Sequence, residues 1–200
     1  MKLKKFLKDA WNFIWDSDSL LSWIVAFILA FVIVKYVIYG MLLTTVLGTG
    51  FPVVAVVSGS MEHDGLGFDS WWEENSNWYE SNDVSLEEFN EFSFKNGFNK
   101  GDIMVLLGVE AKNINNGDIL VFEANSKYPV IHRVVNTWSE DDEIHFQTKG
   151  DNNPRVFPEL GENDITENKV VGKAIFRVPL LGWVKIIFTE IIITFTEMIR

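Results

Sequence analysis

Hydrophobic and polar positions along the chain first separate one long apolar stretch from everything else. From Leu20 to Gly40 the sequence reads "LLSWIVAFILAFVIVKYVIYG", and its single charge, Lys35, lies near the C-terminal end. A helix of about 20 apolar residues, rising about 1.5 Å per residue, crosses a hydrocarbon layer of about 30 Å. The pattern therefore predicts a transmembrane helix over 20–40.

Ahead of this stretch, in 1–19, apolar residues recur at helical spacing. They are Leu3, Phe6, Leu7, Trp11, Ile14 and Trp15, with Lys2, Lys4, Lys5 and Lys8 between them. This pattern predicts an amphipathic helix on the inner membrane surface. Basic flanks stay cytoplasmic, so the chain after the spanning helix is expected outside, in a single-pass protein of the cell membrane. A cleaved signal peptide is the competing interpretation, although the apolar stretch is longer than a typical signal-peptide core.

Short apolar runs separated by Gly-Asp and Asn-Gly turns follow position 100. They read "GDIMVLLG", "NNGDILVFEA", "YPVIHRVVNTW", "EIHFQTKGD" and "ENKVVGKAIFRVP". Such punctuation predicts a mainly β fold, an antiparallel sheet closed in part into a barrel or sandwich. We assign 41–180 to this extracytoplasmic domain. Its apolar start, from Met41 to Val57, is expected to be partly a buried strand and partly in contact with the outer leaflet.

Within that domain, 62–99 is acidic and rich in tryptophan, and no strands are expected in it. "SLEEFNEF" predicts a short helix capped by Ser85, with Glu88 at the third helical position. We interpret 62–99 as an inserted cap or lid in preference to a dedicated binding surface. The C-terminal segment 181–200 is apolar but carries Lys185, Glu190 and Glu197. It predicts an apolar helix that is either a second span or an interfacial or partner-bound helix.

Charge and composition then narrow the chemistry. The net charge of −11 and the lack of a basic stripe argue against a nucleic-acid partner. The chain has no cysteine, which excludes disulfides, thiol nucleophiles and thiolate metal sites. No metal or organic cofactor is implied. Hydroxyls, carboxylates and three histidines remain for any catalysis.

Three segments carry the candidate chemistry: "VVAVVSGSMEHDG" with Ser58 and Ser60, "VIHRVV" with His132, and "TKGDNNP" with Asp151. A serine hydroxyl needs a base to take its proton, an imidazole suits that role, and a carboxylate can orient the imidazole. The spacing of these three residues is weak evidence for catalysis, because each residue also fits a turn or a packed strand. Lys127 and Lys149 are alternative bases, whereas His63 and His145 are interpreted as structural.

Taken in order, "SGSM" after a membrane helix, "GDILVFE", "VIHRVV", "TKGDNNP" and "VVGKAIFRVPLLG" resemble type I signal peptidases, specifically the archaeal and endoplasmic-reticulum branch. The resemblance implies a membrane-anchored serine endopeptidase that removes signal peptides from exported proteins, cutting after small residues. It implies Ser60 as nucleophile, Ser58 as oxyanion partner, His132 as general base and Asp151 as the acid.

One departure leaves the acid open. Relatives in this family often carry a second aspartate about six residues after the first, and Phe157 stands there in this chain. The nearest acids are Glu159 and Glu162, and Glu159 is held in reserve behind Asp151.

The partners implied are signal peptides of preproteins, membrane lipid and accessory membrane subunits or a translocon. Two other functions stay open. One is a non-catalytic membrane-anchored β domain that acts as a binding or assembly subunit. The other is a self-cleaving serine peptidase of the repressor type, which the spanning helix and the missing lysine base disfavour.

Overall fold

Two helices make up the N-terminal unit, described from a computed structural model that covers residues 2–198 without the side chains of residues 185, 195, 197 and 198. Helix α1 (Lys2–Trp15) buries none of its residues, and the side chains of Leu3, Phe6 and Trp11 in its apolar stripe are mostly exposed. Helix α2 (Leu20–Leu47) has α-helical turns over Leu20–Val32, π-helical turns over Ile33–Leu43 and α-helical turns again over Thr44–Leu47.

Helix α2 is, within residues 2–198, the one helix long and apolar enough to cross a membrane. The side chain of Ser19 caps its start by accepting a hydrogen bond from the Ser22 amide at 3.1 Å. The helix continues past the predicted end at Gly40, because 41–47 is also apolar and contains no helix breaker. It ends before Gly48, whose φ of 63° is a left-handed conformation that glycine adopts without strain.

Seven strands form one sheet in the order β1-β2-β7-β3-β4-β5-β6, and every neighbouring pair is antiparallel. The strands are β1 (Val53–Ala55), β2 (Ile103–Leu107), β3 (Ile119–Phe122), β4 (Val130–Glu140), β5 (Glu143–Lys149), β6 (Ile165–Thr166) and β7 (Val170–Val178). The sheet curls into a half-barrel. The predicted mainly β, partly closed antiparallel fold is confirmed, and β1, predicted as a buried strand within 41–57, is half-buried at the sheet edge.

The repeated Gly-Asp pairs mark strand entries, as predicted. Gly101 and Gly117 have φ values of 91° and 88°. Asp102 and Asp118 each accept, at 2.9 Å, the backbone hydrogen bond of the residue three positions earlier. These hydrogen bonds close the turns before β2 and β3, because each carboxylate satisfies a backbone amide that the sheet does not. Three short 3-10 helices, Ala111–Asn113, Pro158–Leu160 and Glu167–Lys169, shape other turns.

The insertion 62–99 contains no strand, as expected, and folds as helices α3 (Phe68–Glu80) and α4 (Leu86–Asn90). The predicted N-cap of the second helix is confirmed, since the Ser85 hydroxyl accepts a hydrogen bond from the Glu88 amide at 3.2 Å. The two helices enclose an aromatic cluster that packs on β4 through Val135; its other buried members are Trp71, Trp72, Tyr79, Val84 and Phe89. The insertion thus shares a core with the sheet.

The predicted C-terminal apolar helix is present as α5 (Trp183–Met198), a helix of 16 residues. Most of its described apolar side chains are exposed, including Val184, Ile187 and Phe188. The side chains of Lys185 and Glu197 and residues 199–200 of the predicted segment lie outside the described residues, and its relation to a membrane stays a prediction.

The aromatic cluster predicts a large stability loss for Phe89→Ala. Phe89 is fully buried, so the truncation leaves a cavity and lowers the free energy of unfolding by about 3–5 kcal/mol. The measurement is urea denaturation in detergent micelles, followed by tryptophan fluorescence. Leu86→Ala on the same helix is the control: Leu86 is 38% exposed, and a loss equal to that of Phe89→Ala would contradict the packing described.

Candidate active site

Ser60 and His132 are brought into contact from distant parts of the chain. Ser60 is half-buried in the turn after β1, and His132 is buried on β4. The hydroxyl Oγ lies 2.8 Å from His132 Nε2, a normal hydrogen-bond distance. A base in this position can accept the hydroxyl proton directly, which is the geometry that activates a serine.

Glu162 lies on the other side of the imidazole. Its Oε1 is hydrogen-bonded to His132 Nδ1, and the carboxylate is fully buried. Its second oxygen, Oε2, accepts the Phe157 backbone amide at 2.6 Å. When Nδ1 carries the proton that Glu162 accepts, Nε2 is free to accept the Ser60 proton. Both ends of the ring are thereby oriented.

Neither acid favoured from the sequence occupies this position. Asp151 is fully buried and accepts two hydrogen bonds from Arg133, from Nε at 2.9 Å and from Nη2 at 2.7 Å. Successive side chains of a strand point to opposite faces of the sheet. Arg133 therefore binds Asp151 on the face opposite to that of His132. Glu159 is exposed and pairs with Arg155 at 3.1 Å. The expected Asp151 contact with His132 is corrected to Glu162.

The residue directly before Glu162 is a glycine, and only the folded loop shows why that glycine matters. The chain makes a short 3-10 helix at Pro158–Leu160, and Gly161 then turns it back with a φ of 81°. Glu162 O accepts from the Thr148 amide at 2.9 Å, which pins this residue beside β5. The glycine directly before Glu162 is therefore what allows the loop after β5 to return to His132.

The Ser60 turn is held by the loop that follows β5. The Asn152 amide donates to Ser60 O at 2.8 Å. Gly150 permits this approach, since a Cβ there would lie 2.8 Å from the same oxygen. Ser58 is exposed, with its Oγ 3.2 Å from Ser60 Oγ, so the two predicted hydroxyls do lie together. The oxyanion role of Ser58 stays a prediction.

The alternative bases make other contacts. Lys149 is buried, and its Nζ donates to Gly150 O at 3.0 Å and lies 4.6 Å from the Tyr79 ring centroid. Lys127 Nζ lies over the Tyr128 ring. His145 Nδ1 pairs with Asp164 at 2.7 Å, in keeping with a structural role. His63, also interpreted as structural, binds Asp151 rather than Ser60.

Burial and charge set the titration of this region. Burial raises the pKa of the Asp151 carboxyl, but the positive charge of Arg133, with hydrogen bonds from His63 and Arg133, outweighs it and holds that pKa well below its usual range. Burial, with a contribution from Asp151, raises the pKa of the Tyr79 phenol. Burial lowers the pKa of the Lys149 ammonium to about 8. The carboxylate and the guanidinium are therefore charged at neutral pH, while Tyr79 keeps its proton and donates it.

No group of three or more histidine and carboxylate side chains is arranged to hold a metal within the part of the chain that the structure describes. The chemistry on view is that of a curled β sheet that presents a serine hydroxyl, an imidazole and a buried carboxylate in one hydrogen-bonded line. This is the arrangement of a serine hydrolase active site.

Comparison with known proteins agrees with this class. The chain is 34% identical over 103 residues to the human signal peptidase complex catalytic subunit SEC11C, which covers 49% of this chain and 54% of that protein. It is 30% identical over 103 residues to SEC11 of Colletotrichum graminicola and 29% identical to sec11 of Neurospora crassa, covering 60% of each. No family model matches the chain.

Over these 103 residues the chain is similar to catalytic subunits of the signal peptidase complex, which agrees with the resemblance found in the sequence motifs. It spans about half the length of the curated relatives it matches.

The buried ammonium of Lys149 predicts a pH-dependent stability. The folded chain releases this proton near pH 8, whereas the unfolded chain holds it up to about 10.5, so the unfolded state binds more protons in between. The free energy of unfolding therefore rises with pH across that window, by at most about 3 kcal/mol. Urea denaturation from pH 7 to 10.5 of the wild type and Lys149→Met measures this rise. The variant lacks it, and parallel curves for the two proteins would contradict the assignment.

Proposed function

We propose that this protein is a membrane-anchored serine endopeptidase that removes N-terminal signal peptides from exported proteins at the extracytoplasmic membrane surface. The hydrogen-bonded line of Ser60, His132 and Glu162 is the observation that supports serine-type peptide hydrolysis. Homology to signal peptidase catalytic subunits supports the substrate class. The sequence resemblance adds the preference for small residues before the cut.

The reaction begins when Ser60 Oγ attacks the carbonyl carbon of the scissile bond and passes its proton to His132 Nε2. Glu162 stabilises the imidazolium that forms, because it accepts the Nδ1 proton throughout. The Ser58 hydroxyl and the Ser60 backbone N–H are the proposed donors to the oxyanion. The carbon–nitrogen bond then breaks, and His132 gives its proton to the leaving amine.

Water completes the cycle. It attacks the carbonyl carbon of the acyl-serine ester and loses a proton to His132; the ester carbon–oxygen bond then breaks, His132 returns a proton to Ser60 Oγ, and the signal peptide leaves with a new carboxyl terminus. Glu162 is proposed in the place that the sequence resemblance gave to Asp151, because Glu162 is the acid that contacts the base. Asp151 is proposed as a buried support for the neighbouring turn.

An extended substrate has an edge to bind. In the described sheet β1 is the terminal strand, paired with β2, and it lies a few residues before Ser58 and Ser60. Phe51 and Val57, at either end of this strand, are 51% and 59% exposed. Backbone pairing along such an edge supplies affinity, while alternate side chains enter shallow apolar sites. We propose that the residues before the cut lie here.

Membrane attachment follows from α2, whose 28 residues support a spanning helix. We propose 1–19 as a cytoplasmic amphipathic segment, with 41–180 outside the membrane and 181–200 associated with it. The relatives are named as subunits of a signal peptidase complex, so we propose accessory membrane subunits as partners, together with lipid.

Cleavage of a model preprotein in liposomes tests the function. Ser60→Ala and His132→Ala are expected to abolish cutting after the small-residue site, because each removes a reacting group. Glu162→Gln keeps the side-chain shape but loses the charge beside the imidazolium, and is expected to lower kcat by on the order of 10³-fold. Mass spectrometry of the product locates the cut, and initial rates give kcat.

The control is Glu159→Gln, which makes the same chemical change on an exposed residue and is expected to leave kcat unchanged. Equal losses in the two glutamine variants would remove Glu162 from the mechanism. A folded wild-type chain that cuts nothing, even with candidate partner subunits present, would favour the non-catalytic binding domain instead.

A further inference from the structure

We propose that the insertion 62–99 positions the nucleophile, through Tyr79 and His63, by binding the Asp151 carboxylate behind the Ser60 turn. This inference rests on the proposed function of Ser60 and His132. Tyr79 and His63 touch none of the proposed reacting groups in the described contacts, so they act as positioning residues.

The Asp151 carboxylate is the meeting point of three parts of the chain. The Tyr79 hydroxyl at the end of α3 donates to Oδ1 at 3.1 Å. His63 Nε2 lies 3.2 Å from Oδ2, with its ring stacked on Trp71 at a centroid distance of 3.8 Å. Arg133 of β4 supplies the two remaining hydrogen bonds.

Arg133 is itself held in part by the insertion. Its Nη1 and Nη2 donate to the carbonyl oxygens of Ser93 at 2.7 Å and Phe94 at 3.0 Å. Its guanidinium carbon lies 4.8 Å from the Phe89 ring centroid. The side chains of Arg133, Asp151 and Tyr79 have no solvent-exposed surface, so water cannot easily replace a lost partner.

Arg133 is adjacent in the chain to one proposed reacting residue, and Asp151 is linked to another through one neighbouring residue. Arg133 directly follows His132 on β4. Asp151 directly precedes Asn152, whose amide holds Ser60 O at 2.8 Å. The Asp151 amide also contacts Met61 Sδ, in the residue after Ser60, at 3.4 Å. A shift of Asp151 is therefore transmitted through one peptide to the nucleophile.

The far end of the insertion grips the same turn. The Phe98 amide donates to Met61 O at 3.0 Å. Gly97, with a φ of 64°, allows the approach, because a Cβ there would lie 2.3 Å from that oxygen. The Lys100 amide donates to Glu62 Oε1 at 2.7 Å. The two ends of the insertion are thus joined by hydrogen bonds at Met61 and Glu62, directly after Ser60, and Asp151 contacts the same turn.

The absence of cysteine from the sequence makes a direct test possible, since Ser60→Cys introduces a single thiol. A thiol paired with an imidazole forms its thiolate at lower pH and alkylates faster. We would measure the iodoacetamide rate from pH 5 to 9 in Ser60→Cys. The reference is the same chain with His132→Ala, which lacks the pairing. His132 and Glu162 are the titratable groups in line with this position.

Adding Tyr79→Phe removes one hydroxyl without changing the ring. It is expected to slow alkylation at neutral pH by about tenfold, the ratio that the loss of one hydrogen bond to a charged group allows. His63→Leu is expected to act in the same direction, and His63→Gln, which can still donate to Asp151, to restore most of the rate. The control Asn90→Ala removes hydrogen bonds to Lys95 and Leu86 inside the insertion, and is expected to leave the rate unchanged.

The outcomes separate the two proposals. If Ser60→Cys alkylates no faster than its His132→Ala reference, the pairing that underlies the proposed function fails, and the positioning role fails with it. If the pairing is present but Tyr79→Phe and His63→Leu leave the rate unchanged, the positioning role is overturned and the proposed function stands. Equal losses in Tyr79→Phe and Asn90→Ala would also overturn it, because they would indicate general loosening of the insertion.

Discussion

The buried ion pair of Arg133 with Asp151 is the interaction on which the rest of the β-sheet unit depends. Removing two charges from water costs several kcal/mol per ion unless geometry and extra hydrogen bonds compensate. All five N–H donors of Arg133 are used here, two on Asp151 and three on the carbonyl oxygens of Ser93, Phe94 and Gly117. A bidentate, fully hydrogen-bonded pair fixes distance and angle, so it joins β4, the loop after β5 and the insertion in one arrangement.

Strand alternation turns that scaffold into a site. His132 and Arg133 are neighbours on β4 and point to opposite faces, so one face carries the imidazole that meets Ser60 and the other carries the ion pair with Asp151. The loop after β5 serves both faces in turn: Asp151 binds Arg133 at its start, and Glu162 reaches His132 at its end. A single loop therefore supplies an acid to each side of the strand, which explains why two carboxylates so close in sequence do different work.

The motifs of the resemblance contain Ser60 and His132, which the structure brings into contact, because both residues lie in short local patterns beside predicted strands. The resemblance favoured Asp151 as the acid, whereas the carboxylate that contacts His132 in the structure is that of Glu162, which comes from the returning part of the loop and not from the "KGD" pattern. The sequence led us to interpret the tryptophan-rich insertion 62–99 as a cap or lid. In the structure its aromatic cluster shares Val135 with the sheet, and its Tyr79 reaches the Asp151 carboxylate.

By itself, the sequence determined the elements whose signals are local. Apolar length specifies α2, alternation with Gly-Asp turns specifies β2 to β5 and β7, and Ser85 specifies the start of α4, because each signal acts over a few residues. Only the tertiary structure decided which carboxylate meets His132 and that Tyr79 meets Asp151. Those contacts join residues 30 and 72 positions apart, and what selects them is the burial of charge and the return of a loop, neither of which has a period in the sequence.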